Sequence, residues 1–126
     1  MRRSEVSYIF IDTRNRIIEA QLSCVFSKEG KWHFAECPEL DLIDQGRTMR
    51  DAVENLTQMI SETLVAAIEN GKMTDMMQAL GFEEVKPVPE KTFFSQTLKS
   101  SGRVPLPSFT IPFDRSSTDR PLICSV

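Results

Sequence analysis

Four carboxylates stand close together in this chain and are the side chains best suited to chemistry: Glu36, Glu39, Asp41 and Asp44. Carboxylate oxygens are ligands that Mg²⁺ prefers, so the cluster is compatible with a metal-dependent nuclease or hydrolase. The same residues at a strand end and in a loop also suit a solvated acidic surface. Both interpretations stay open on the residues alone.

Other catalytic signatures are missing from the chain. It has one histidine, His33, and three cysteines without Cys-x-x-Cys spacing, and it lacks a glycine-rich phosphate loop and a His-Glu-x-x-His motif. We therefore expect no enzyme, no cofactor and no resident metal, with thiols buried in a reducing compartment.

Charge is distributed unevenly along the 126 residues, of which 40% are hydrophobic and 26% charged. Residues 34–90 carry four Lys or Arg against twelve Asp or Glu, a net charge of −8. An acidic centre argues against nucleic acid as its direct ligand and suits a basic protein partner. No apolar run reaches the roughly 18 residues that span a membrane, and the start does not resemble a signal peptide, so we expect a cytoplasmic protein of one globular domain.

Hydrophobic periodicity places the elements. Alternation over residues 18–26 and 32–37, with a turn at Gly30, predicts a hairpin, and residues 40–43 supply a short third strand. The 3.6-residue period over 49–68 predicts a long amphipathic helix, followed by a short one. The predicted class is α+β, with an antiparallel three- to four-stranded sheet packed by the long helix.

The composition changes near residue 85. Six of the seven prolines and four of the eight phenylalanines follow it. Because prolines exclude long helices and phenylalanines anchor chains, we predict an extended arm that docks on its own domain, a sister subunit or a partner. The predicted organisation is an α/β domain over 1–84 and a Pro-rich arm over 85–126 that is not an independent domain.

Three short motifs follow one another in the centre of the chain. They are Ala35-Glu36-Cys37-Pro38-Glu39-Leu40-Asp41, Gln45-Gly46-x-Thr48 and Asp51-Ala52-x-x-Asn55-Leu56. In this order the motifs resemble the HicB antitoxin family, over about residues 17–70. The positions that carry the resemblance are Cys37, Pro38, Leu40, Gln45, Gly46, Thr48, Ala52, Asn55 and Leu56.

The resemblance implies a truncated ribonuclease-H-like fold without ribonuclease activity. Proteins similar to this bind and neutralise HicA, a small basic toxin that cleaves mRNA, and are commonly dimers or tetramers. Many also carry a C-terminal helix-turn-helix or ribbon-helix-helix module. Residues 85–126 show neither pattern, so direct DNA binding is not expected.

Charge, rather than the motifs, suggests which residues touch a toxin. We expect contacts at the four carboxylates, with Phe109 and Phe113 as apolar anchors on the arm. Two alternatives remain. One is a solitary HicB-like scaffold or ligand-binding domain without a toxin, and the other is a metal-dependent nuclease that uses Glu36, Asp41 and Asp44.

Overall fold

A computed structural model describes residues 6–97 and 102–113 of the chain. The described residues form nine strands and two helices. In chain order these are β1 Val6–Asp12, β2 Ile17–Gln21, β3 Ser23–Glu29, β4 Trp32–Cys37, β5 Leu42–Gly46, α1 Met49–Glu69, α2 Met73–Ala79, β6 Glu83–Val88, β7 Lys91–Thr97, β8 Val104–Pro105 and β9 Phe109–Pro112. The α+β class predicted from periodicity is confirmed.

The strands form two antiparallel sheets, where one sheet of three to four strands was expected. The first has the order β6-β7-β1-β2-β9 and the second β5-β4-β3-β8. Only Leu22 separates β2 from β3, and its carbonyl accepts from the Leu106 amide at 2.9 Å. The two sheets are therefore joined through consecutive strands at this point.

Helix α1 begins and ends as the sequence predicts. The Thr48 hydroxyl accepts from the Asp51 amide at 3.0 Å and caps the N-terminus. Gly71, at φ 68°, allows the Lys72 amide to reach the Ala67 carbonyl at 2.8 Å, as in a Schellman C-cap. The helix buries one stripe of side chains: Ala52, Leu56, Ile60, Leu64 and Ala67.

One hydrophobic core lies between the helices and the sheets. Met73 and Met77 of α2 join it and are 7% and 0% exposed. The inward-facing side chains of the strands supply the other side of the core. They are Ile9, Ile11, Ile18, Ala20, Cys24, Ala35, Cys37, Phe94 and Ile111. The apolar end of α1 packs on this core: Val65 and Ile68 are partly buried against it.

The region after residue 85 differs from the predicted arm. Strands β6 and β7 form a hairpin, and β7 pairs along the whole of β1, so the predicted boundary at 84/85 falls inside a strand. The prolines instead mark sheet edges: Pro87 lies in β6, Pro105 in β8 and Pro112 in β9. Proline cannot donate to a strand ladder, which makes edge strands its usual place.

Within the described residues, neither helix has the length and apolar composition needed to cross a membrane.

Candidate functional site

The four carboxylates do not come together in one site. Glu36 pairs with Ile43 across β4 and β5 and is half-buried, whereas Asp44 pairs with Ala35 on the opposite face. Asp41 is exposed in the intervening turn at φ 57°. Among residues 6–97 and 102–113, no group of three His, Cys, Asp or Glu side chains is placed to hold a metal ion. The nuclease alternative therefore gains no support from the geometry of these carboxylates.

Glu39 is an internal residue and not the surface contact predicted from charge. It is 1% exposed. Its Oε2 accepts from the Ser7 hydroxyl, from the Ser23 amide at 3.0 Å and from the Ser23 hydroxyl at 2.7 Å. The predicted surface contact at Glu39 is corrected because this side chain lies in the interior, where a partner could reach it only by opening the fold.

Arg103 supplies the opposite charge in this polar centre. Its Nη1 lies 3.6 Å from Glu39 Oε2 and donates to the Ser23 hydroxyl at 3.0 Å. The Arg103 side chain is 8% exposed. The ion pair thus joins the C-terminal segment to the start of β3 and to the turn after β4. Buried charges require such pairing, since an unpaired one would carry a large desolvation cost.

Cys37 completes the polar centre. Its Sγ lies 3.4 Å from Glu39 Oε1, in hydrogen-bonding position. Burial, followed by the nearby Glu39 charge, raises the pKa of the Cys37 thiol, which keeps it protonated. Because no histidine joins the cluster and every member is nearly buried, we interpret it as structural.

Sequence reasoning missed Ser7, Ser23 and Arg103. One signal was present: Ser7 occupies the same alternating positions as Ile9 and Ile11 and therefore points inward. A serine on a buried face indicates a polar partner inside the fold. The identity of that partner is not readable from the sequence, because Glu39 lies 32 residues away.

The motif residues between β5 and α1 form one compact junction. Gly46 is buried, and a Cβ there would lie 2.6 Å from the Ala52 backbone nitrogen. Glycine is therefore needed for the close approach of strand and helix. Thr48 then caps the helix, while Ala52 and Leu56, both 0% exposed, pack α1 on the sheet.

Asn55 protects the open edge of β5. Its Nδ2 donates to the Gln45 carbonyl at 2.8 Å, and the Gln45 amide donates to Asp44 Oδ1 at 2.8 Å. Both backbone groups of this edge residue are therefore satisfied by side chains. An edge treated in this way is a poor template for another strand.

The other motif positions shape the turn between β4 and β5. Pro38 follows the last residue of β4, and the Leu40 amide donates to the Cys37 carbonyl at 3.2 Å. Leu40 is 5% exposed and belongs to the core. The turn thereby buries Glu39 and Leu40 together and leaves Asp41 outside.

The two phenylalanines proposed as partner anchors pack on this chain itself. Phe109 pairs with Ala20 and packs against the core, and Phe113 is 6% exposed. The Phe113 amide also donates to the Arg16 carbonyl at 3.0 Å. Three docking places were considered for the arm: its own domain, a sister subunit or a partner. Residues 109–113 dock on their own domain.

The outer face of the second sheet is the apolar surface nearest the accessible carboxylates. Ile43 is 52% exposed and Trp32 37%, and Phe34 lies between them across the strands. Arg47 lies over the Trp32 ring at 5.6 Å from its centroid. Glu36 shares this face, because it alternates with Ala35 and pairs with Ile43.

Comparisons of this chain with family models, curated proteins and solved structures find no match.

Proposed function

We propose that this chain is an antitoxin-like protein of the HicB type, which binds a small basic HicA-type toxin and neutralises its mRNA cleavage by covering it. One observation carries the proposal. The motif residues that suggested the family occupy one strand–turn–strand–helix unit, in which Gly46, Thr48 and Asn55 each have a defined structural role. The same unit in a HicB-like protein would need those residues for the same reasons.

The surface charge of the central segment supports a basic partner. Of its acidic residues, Glu39 alone is buried. Those on α1 that face water are Asp51, Glu54, Glu62 and Glu69. A field of this sign raises the encounter rate with a positively charged protein and becomes less effective as salt is added.

We propose the β4–β5 region as the toxin-binding surface. Here Glu36 and Asp41 remain accessible beside Phe34 and Ile43, so the apolar centre has acidic groups at one end, with Arg47 over Trp32 at the other. Glu39, Phe109 and Phe113 are left out because they pack inside or against this chain. Inhibition by contact requires no catalytic group from this protein, which is expected to act in the cytoplasm.

Binding to a HicA-type toxin tests the proposal. Asp41→Asn and Glu36→Gln remove two charges with little change in size, and Asn tolerates the left-handed backbone at position 41. The double variant should associate with the toxin several-fold more slowly at low salt, with the difference shrinking as salt rises. Glu62→Gln with Glu69→Gln removes the same amount of charge from the exposed face of α1 and is the matched control, which should slow association less. Equal association rates for the double variant and the wild type would contradict the assigned surface.

A solitary ligand-binding domain is the second candidate, and one small pocket is its candidate site. The pocket holds about 210 Å³ at the junction of α1 and α2, beside β1 and β7. Its lining residues are Ile11, Thr13, Ile68, Gly71, Met73, Thr74, Thr92 and Phe94. This volume lies below the roughly 300 Å³ at which typical small-molecule sites begin, so only a very small, mostly apolar compound would fit.

A further inference from the structure

An open cleft lies within the surface that we propose for toxin binding. It holds about 300 Å³ and is lined by Ser27, Lys28, Glu29, Phe34 and Ile43. This volume is at the lower limit of small-molecule sites, so it suits a single large side chain better than a whole cofactor. The cleft is therefore a place on this face where a partner can insert a side chain.

The cleft combines an aromatic ring with a neighbouring carboxylate. Phe34 pairs with Ser27 of β3, and Glu36 pairs with Ile43 of β5. Because residues two apart on a strand share a face and lie about 6.6 Å apart, Phe34 and Glu36 are neighbours on this face. Phe34 is half-buried and Ile43 is 52% exposed, so both offer apolar surface to an inserted side chain.

The charge that the cleft presents is acidic. Glu29 lines it, and Glu36 lies beside Ile43 at the other end. Lys28 alternates with Glu29 and pairs with His33, so its side chain starts from the opposite face of the sheet. The cleft therefore attracts a cation and repels an acidic side chain.

The same face already holds one guanidinium against an aromatic ring. Arg47 lies over the Trp32 ring, 5.6 Å from its centroid. Trp32 pairs with Glu29 and precedes Phe34 on the shared face, so this contact lies at the end of the face away from Glu36. Because Arg47 occupies the Trp32 end, a second cation meets less repulsion over Phe34, beside Glu36.

Arginine is the side chain that satisfies both parts of the cleft. A partner that covers this face takes water away from Glu36, and a carboxylate without water needs an opposite charge. A guanidinium is planar, stacks on aromatic rings and pairs with carboxylates through two parallel hydrogen bonds, whereas a lysine ammonium is a compact, strongly hydrated point charge. An uncharged side chain would fill the cleft and leave the carboxylate unpaired.

We propose that this cleft receives one arginine of the toxin, with its guanidinium stacked on Phe34 and paired with Glu36, and its aliphatic part against Ile43. The inference rests on the proposed function, since it names the side chain that the toxin-binding surface selects. Arginine is enriched among the residues that dominate interface energies. The cleft thereby distinguishes the toxin from basic proteins whose charge is carried by lysine.

An NMR titration of the full-length chain with blocked single amino acids tests this preference without a toxin. The probes are N-acetyl-arginine amide, N-acetyl-lysine amide and N-acetyl-citrulline amide, which separate a planar cation from a charge alone and from a planar group alone. The arginine probe should shift the backbone amides of Ser27, Phe34 and Ile43 at millimolar concentrations. The other two probes should bind the same residues several-fold more weakly.

Two substitutions separate the contacts of the guanidinium. Phe34→Leu removes the ring and Glu36→Gln removes the charge, and each should raise the dissociation constant of the arginine probe about two- to fivefold. Glu36→Gln keeps the size of the side chain, so it tests the proposal even where Phe34→Leu disturbs the sheet. Phe93→Leu and Glu19→Gln make the same changes beside Phe10 on the first sheet and should leave the dissociation constant unchanged.

The outcomes that overturn the proposal differ from those that overturn the proposed function. Equal affinities for the three probes, no shifts at the cleft, or arginine binding that Phe34→Leu and Glu36→Gln both leave intact would overturn the arginine cleft. If Phe34→Leu and the wild type dissociate from a HicA-type toxin at the same rate, the proposed function survives and the arginine cleft does not. If the arginine probe binds the cleft but the chain binds no such toxin, the preference for arginine stands and the proposed function does not.

Discussion

The buried ion pair between Glu39 and Arg103 makes a strong prediction about stability. Arg103→Met removes the cation and keeps much of the apolar length of the side chain, while Glu39 stays 1% exposed with its serine hydrogen bonds. Breaking one partner of a buried pair typically costs about 3–5 kcal/mol. The remaining bonds from Ser7 and Ser23 continue to stabilise the carboxylate, so we expect a loss of about 3 kcal/mol.

Urea unfolding followed by circular dichroism measures this loss directly, because a domain of this size is expected to unfold in one step. Arg50→Met is the matched control: Arg50 lies 3.8 Å from Glu54, but their side chains are 83% and 69% exposed. An exposed pair of this kind is worth about 0–1 kcal/mol. A double variant, Glu39→Leu with Arg103→Met, should recover much of the free energy of unfolding that Arg103→Met loses, because it leaves no unpaired charge in the interior.

Two outcomes would refute this reasoning. The first is a loss of stability for Arg103→Met no larger than that for Arg50→Met, which would mean that the interior pair contributes no more than a surface one. The second is strict additivity of the Glu39 and Arg103 substitutions, because groups in one network should show a coupling energy of about 0.5–3 kcal/mol.

Two further predictions concern the junction and the thiol. Gly46→Ala should cost about 3 kcal/mol in urea unfolding, because its Cβ would lie 2.6 Å from the Ala52 backbone nitrogen. Gly30→Ala is the control: its Cβ meets no atom within 4 Å, so it should cost only the roughly 1–2 kcal/mol of an alanine in the left-handed backbone at φ 62°. A cost for Gly46→Ala no greater than for Gly30→Ala would contradict the close-packing argument. The pKa of the Cys37 thiol is raised in the folded chain, so as the pH rises the thiol ionises in the unfolded chain before it does so in the folded one. The free energy of unfolding should therefore fall above about pH 8.5, by up to about 1.4 kcal/mol per pH unit. Cys37→Ala should show a shallower fall, and identical slopes would argue against a protonated buried thiol.

Short-range sequence patterns predicted helix α1 and the β3–β4 hairpin, because both are formed by residues close together in the sequence. Helix α1 follows from its 3.6-residue period, its Thr48 cap and the glycine at position 71, all of which lie within or beside the helix. The β3–β4 hairpin follows likewise from alternation and from Gly30, at φ 62°. These features could be predicted because each depends on neighbours in the sequence.

The C-terminal strands illustrate what sequence patterns left out. Prolines at 105 and 112 indicated an extended arm, and the chain there is indeed extended, but its hydrogen-bonding partners lie in β2 and β3. Such pairings depend on distant segments and leave no local periodicity. The prolines were compatible with strands because β8 and β9 are sheet edges.

The candidate site was harder to predict than the fold. Glu39 and Asp41 are separated by one residue, yet the first lies in the core and the second in water. The local sequence does not distinguish these two carboxylates. Glu39 is buried because Ser7, Ser23 and Arg103, which are distant in the sequence, surround it in the fold. The stacking of Tyr8 on Phe93 was missed for a related reason, because these two residues become neighbours only when β1 and β7 pair.

The central claim is neutralisation of a HicA-type toxin, and a titration of toxin activity tests it most directly. The small basic protein that co-purifies with this chain from its native cells would be assayed for mRNA cleavage as increasing amounts of the chain are added. The proposed function predicts that cleavage stops near a stoichiometric ratio and returns when salt dissociates the complex. Cleavage that continues undiminished with the chain in excess would contradict it.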